Sequence, residues 1–140
     1  MSTNLAEPVF VADDLVHSYS RAQAIADGEL VDVTATAREA GFRVPVALTA
    51  AVWADCVAWS DDDGRRKRTH QDESGRLWDV VWMAYLAARR AGDVKRRPYE
   101  ILRVPRAGRG ALPRPVRLVM RIGPGDTLAP VITITTENED

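Results

Sequence analysis

The chain has 140 residues, 46% of them hydrophobic and 28% charged, with a single cysteine and a formal net charge of −1. That composition describes one globular domain, long enough to bury a core without disulfide staples, and it excludes wholesale disorder. The lone Cys56 excludes an intramolecular disulfide and points to a reducing compartment, the cytoplasm. Asp55 and Asp79 interrupt the two most apolar stretches, so neither reaches the roughly 18 residues of a spanning helix, and no membrane partner is expected. The N-terminus carries no secretory pattern.

The near-zero net charge conceals segregation. Residues 1–64 hold eleven acids against three bases, residues 65–121 sixteen bases against five acids, and residues 122–140 four acids and no base. A basic middle between acidic ends either presents a basic face to a partner or is neutralised when the segments fold together.

In chain order, residues 1–12 read as a loose arm whose Phe10 docks on the body. Ser18 or Ser20 caps a short helix that carries Ala22, Ile25 and Ala26 on one face and stops at Asp27-Gly28. Leu30–Val33 is a short strand or an extended bridge, and Thr34 or Thr36 caps a helical turn that ends at Gly41. Pro45 forces the preceding Phe42–Val44 to be extended. Thr49 then caps a helix from Ala50 to about Trp59, with Trp53, Ala54 and Val57 on one face.

The strongest helical periodicity spans residues 76–91. Leu77, Val80, Val81, Ala84 and Ala88, together with Trp78, Trp82 and Tyr85, make an apolar surface wider than one stripe. Only a line through Arg76, Asp79, Met83 and Arg90 remains for water, so this helix is read as the central buried pillar. The charged segment 60–75 between the two helices reads as a long loop, mobile or functional.

After Gly92 the period changes to two. Tyr99–Val104 is a strand bounded by Pro98 and Pro105, and Val116, Leu118, Met120 and Ile122 alternate with Arg117, Val119 and Arg121. Val131–Thr136 is a third strand, joined to the second through a Gly123–Asp126 turn. The fold class is therefore α+β: N-terminal helices, with the central one near 76–91, packed on a small C-terminal antiparallel sheet, all in one domain with a frayed acidic tail at 137–140.

Chemistry-bearing motifs are sparse. One Cys with His17 and His70 offers no metal-ligand spacing, Asp61-Asp62-Asp63 lacks the spaced ligands of a calcium loop, and Gly108-Arg-Gly110 is too short for a phosphate loop. No metal or cofactor is expected. His17, beside Ser18 and Ser20 and near Asp13, Asp14 and Asp32, is the one place for acid–base catalysis, and Cys56 reads as a buried, inert thiol. The cations are the better lead: Arg65, Arg66, Lys67 and Arg68 in the 60–75 segment, Arg89 and Arg90 at the end of the pillar helix, Arg96 and Arg97 beyond it, and Arg117 and Arg121 on one face of a strand. Arg89 and Arg90 also complement the helix dipole, a purely structural role.

The run Leu15–Val33, its continuation Ala37–Thr49 and, more loosely, Trp78-Asp-Val-Val-Trp-Met-Ala84 resemble an uncharacterised family of small proteins encoded on bacterial plasmids, phages and other mobile elements. The resemblance implies a cargo gene of a mobile element and carries over no catalytic residue. The expectation is a non-enzymatic interaction protein, of anti-restriction, anti-CRISPR or regulatory type, that binds a host protein complex. A nucleic-acid-binding accessory protein using the same arginines, and a small enzyme with its site near His17, are the alternatives.

Overall fold

The computed structural model describes residues 19–90, 92 and 94–139. The expected N-terminal arm and His17 lie outside them. Five α-helices and one five-stranded sheet make up the described fold, in the order α1 (Arg21–Ala26), β1 (Leu30–Asp32), α2 (Thr34–Ala40), β2 (Val46–Thr49), α3 (Ala50–Val52), α4 (Asp61–Lys67), α5 (Glu73–Arg89), β3 (Arg96–Arg103), β4 (Arg114–Pro124) and β5 (Pro130–Thr136). A single π-helical turn, Trp53–Val57, continues α3.

The α+β reading holds, but the sheet is larger than expected and mixed. Its strand order is β1-β2-β5-β4-β3. The β3–β4, β4–β5 and β1–β2 pairs are antiparallel, whereas β2 runs parallel to β5, with Val46 opposite Ile132 and Leu48 opposite Ile134. Thus β1 and β2, from the helical half of the sequence, extend the C-terminal sheet. Val46-Ala-Leu48 is buried on both faces, so it lacks the alternation that announces a half-exposed strand.

Local chemistry explains the boundaries. Ser20 Oγ accepts from Gln23 N (2.9 Å), and the Asp126 carboxylate accepts from Arg21 N and Ala22 N, fastening α1 to the turn after β4. At α2 the cap is not a threonine: Asp32 Oδ1 accepts from Thr34 N (3.1 Å). The β4–β5 turn falls two residues later than the expected Gly123–Asp126, at Gly125–Leu128, where Gly125 N donates to Ala129 O and Leu128 N to Gly125 O. Pro98 lies inside β3 rather than before it, which an edge strand tolerates because one side of its ladder needs no donor.

One face of the sheet carries the core. Leu48, Leu118, Met120 and Ile134 are fully buried there, under Val80, Val81 and Ala84 of α5 and Val52, Cys56 and Val57 of the α3 turn. Each such side chain contributes roughly 1.5–3 kcal/mol by burial. The pillar helix is confirmed in position, starting three residues early because Asp72 caps it through Gly75 N. Its water-facing line is corrected at Arg76, which is only 5% exposed, while Trp82 is 36% exposed.

Most of the 60–75 segment is helix rather than loop, with only residues 68–72 left as a connection between α4 and α5. Ser60 and Asp63 form a reciprocal capping box that starts α4, and Arg68 closes that helix in the left-handed region (φ 51°). The acidic tail is tied down as far as Glu139, whose Oε1 accepts from Thr49 Oγ1 (2.8 Å) and Thr136 N (2.7 Å).

Candidate partner-binding surface

The sequence-predicted cations separate into three groups. In α4, Lys67 is buried and its Nζ donates to the carbonyls of Ala107 and Gly110 in the connector after β3. It is therefore a strut and cannot meet a partner. Arg66 bonds Asp63 and reaches Arg106 O, and Arg106 Nε donates to Asp63 Oδ2. Asp63, only 4% exposed, is the hub of this network, and the amide of Ser60 first, then Arg66 and Arg106, hold its carboxyl well below the usual range against the opposing effect of burial. Arg65 and Arg68 stay exposed, Arg65 within 3.6 Å of Asp62.

The second group, Arg117 and Arg121, lies on the sheet face away from the helical core. Arg117 pairs with Glu137 (3.2 Å), while Arg121 donates to Thr135 Oγ1 and to the carbonyl of Glu139. Here the acidic end of the chain neutralises part of the basic middle. Arg21 reaches the same side of β5, donating to Thr133 Oγ1 and Ile132 O.

The third group is different. Arg89 and Arg90 end α5, Lys95 and Arg96 are exposed where β3 begins, and Arg97 follows them half-buried. None of these five forms an ion pair within 4.0 Å among the described residues. Arg97 shares one hollow with Arg90 and a second, of about 490 Å³, with Lys95, Ala88, Val94, Met120 and Ile122. Val94 and Ile122 are 41% and 36% exposed, so the basic corner borders an apolar groove. On α5 a row of rings runs toward the same corner. Trp78 stacks on Trp82 and Trp82 on Tyr85, each at 5.7 Å, and Arg89 lies over Tyr85.

Sequence reasoning missed the most constrained polar cluster. The π-turn displaces its hydrogen bonds by one residue, and Arg76 from α5 takes up the carbonyls left over. Its Nε donates to Val57 O (3.1 Å), Nη1 to Val104 O (3.0 Å) and Gln71 Oε1 (2.9 Å), and Nη2 reaches Asp55 O at 3.4 Å. Its guanidinium lies 4.7 Å from the centre of the Trp59 ring. Beside it, Arg103 Nη2 is 3.0 Å from both carboxylate oxygens of Asp55, while Arg103 Nε is buried with no hydrogen-bond partner among the described residues. An orphan of this kind costs on the order of 1–3 kcal/mol. A helical arginine directly after a polar run carries no mark in the sequence that distinguishes it from a solvated one.

No group of three metal-ligating side chains occurs among the described residues, and none of the described helices is long and apolar enough to cross a membrane. The chain matches no curated protein and no solved structure. Residues 6–140 match the profile of the Family of unknown function (DUF6573), and the chain belongs to that family.

Proposed function

We propose that the chain is a non-enzymatic interaction protein that binds an acidic partner protein at the corner where α5 gives way to β3. The observation that carries this reading is the group Arg89, Arg90, Lys95, Arg96 and Arg97, free of ion pairs among the described residues, of which Lys95 and Arg97 line the Val94–Ile122 groove and Arg90 shares the neighbouring hollow with Arg97. Exposed arginines beside apolar surface are the composition of protein–protein hot spots, where the charges steer the approach and the apolar part supplies desolvation energy. The resemblance of Leu15–Val33 and Ala37–Thr49 to proteins of mobile elements supports a role as an anti-defence or regulatory factor acting on host machinery in the cytoplasm.

A second reading, nucleic-acid binding, draws on the Trp78–Trp82–Tyr85 row leading to Arg89, since rings beside cations stack on bases. One double variant separates the two. Arg90→Glu with Arg97→Glu should abolish recovery of a discrete host protein complex from lysate, while the parent chain gives no DNA or RNA mobility shift at low salt. A steeply salt-dependent shift that the same variant abolishes would instead establish the second reading.

A further inference from the structure

The apolar groove at the basic corner is an unroofed extension of the core. Leu118, Met120 and Ile122 share one face of β4, and the helical layer covers the first two, which are at most 1% exposed. Because α5 ends at Arg89, Ile122 stays 36% exposed, its amide donating to the Lys95 carbonyl (2.8 Å). Ala88 and Gly92 are too small to fill the space, and Val94, 41% exposed, also lines it. The resulting volume of about 490 Å³ lies within the roughly 300–1,000 Å³ of sites that enclose ligand groups. Among the described residues, Lys95 and Arg97 are the only charged side chains on its lining, with no carboxylate to match them. Arg97 continues into the neighbouring hollow of about 190 Å³, where Arg90 joins it and Glu100 is the single acid.

We propose, resting on the preceding reading of this corner as the partner site, that the groove receives one large apolar side chain from a linear acidic segment of the partner protein. Carboxylates beside that anchor lie on Lys95 and Arg97. Neither half of the surface suffices alone: exposed cations hold a carboxylate weakly in water, and an uncharged apolar segment leaves both cations unmatched. Together, the anchor supplies desolvation energy and the two cations set its register, the division of labour at interface hot spots. Glu100 makes the smaller hollow less favourable to an acid, so the carboxylates belong on the groove side of Arg97. The apolar side chains line a concavity instead of projecting, which suits a side chain that enters them and not a bilayer that they would have to enter. A nucleic-acid backbone offers phosphates to the cations but no aliphatic chain to seat on Val94, Met120 and Ile122.

The test selects a random dodecapeptide library, displayed on phage, against the full chain and measures the hits as free, end-capped peptides by fluorescence anisotropy. Enriched peptides should share one bulky apolar residue with an acid within two positions of it. Their binding should weaken about tenfold in Ile122→Thr, in Lys95→Glu, and when the apolar residue becomes alanine. Arg65→Glu, outside both hollows, should leave it unchanged. No enrichment, enrichment of peptides without acids, or hits that bind Ile122→Thr as tightly as the parent overturn the proposal. So does sedimentation of the parent chain, but not of Ile122→Thr, with vesicles containing phosphatidylserine. Ile122→Thr keeps a β-branched strand residue; if it fails to fold, Val94→Ser, outside any strand, makes the same measurement. Recovery of the host complex then separates the two readings. If Arg90→Glu with Arg97→Glu abolishes it but Val94→Ser does not, the corner binds without the groove and only this proposal falls. If neither alters it, the reading of the corner falls as well.

Discussion

Arg106 Nε donates to Asp63 Oδ2 across 2.7 Å, binding the connector after β3 to the first turn of α4. Because the Ser60 amide first, then Arg66 and Arg106, hold the folded Asp63 carboxyl below its ordinary value of 3.8, its ionised form stabilises the fold, fully above about pH 5. Its contribution is lost progressively as pH falls below that point toward the folded value. Denaturant midpoints measured from pH 6 to 2 should therefore drop on the acid side, and Asp63→Asn should flatten the drop. Some acid dependence should persist, since the amides of Arg21 and Ala22 hold Asp126 low in the same way.

Cys56 is 1% exposed, and burial, helped by the Asp55 carboxylate, pushes its thiol up to about 12. At pH 8 the thiolate fraction is then roughly one part in ten thousand. A disulfide reagent at that pH should leave the native protein unmodified over minutes and titrate one thiol in denaturant. Rapid native labelling would show that the α3 turn opens far more readily than its packing implies.

Replacing Arg76 by Lys keeps the charge but loses the planar fork that serves Val57, Val104 and Gln71 together. The expected loss is roughly 3 kcal/mol, seen as a lower urea midpoint with an unchanged slope. Arg65→Lys, at an exposed site, should change stability by less than about 0.5 kcal/mol.

Gly41 and Gly28 both have positive φ (126° and 82°), but only one is crowded. A Cβ at Gly41 would come within 2.6 Å of the Tyr85 ring, whereas at Gly28 it would meet nothing within 4 Å. Gly28→Ala should cost about 1–2 kcal/mol for the left-handed backbone alone. Gly41→Ala should cost roughly 1–3 kcal/mol more, from the Tyr85 clash together with a φ of 126° that lies outside the left-handed basin an alanine can enter, and the difference between the two thermal or urea midpoints sets an upper limit on the clash.

What the sequence discloses depends on whether a residue's role is local. The alternation at Val116–Ile122 and the wide apolar face of Leu77–Ala88 are local periodicities, and both elements stand where they are read. Ser20 and Gly41 do what their types predict at helix ends. Short β2 has no alternation to read, because a helix layer lies on one side of Val46 and Leu48 while Ala47, facing the other way, is also buried. In the acidic and basic run 61–68, local charge looks like solvation, yet Asp63 and Lys67 find their partners in residues 106–110. Candidate site residues suffered most from this non-locality. Arg90, Lys95 and Arg97 are close in sequence and share adjoining hollows, whereas Arg76 and Arg103 meet only because a π-turn and a strand end bring their surroundings together.

The parallel seam between β2 and β5 has a kinetic consequence. Val46 finds its partner Ile132 only after nearly the whole intervening chain has been ordered, so loop-closure entropy is spent before the seam returns any stabilisation. During synthesis, β1 and β2 can pair early across α2, but the inner edge of β2 stays unpaired until β5 leaves the ribosome. Completion of the sheet is thus a late event in folding. A chain interrupted before residue 130 would display two waiting strand edges, on β2 and β4, and would associate with copies of itself through them.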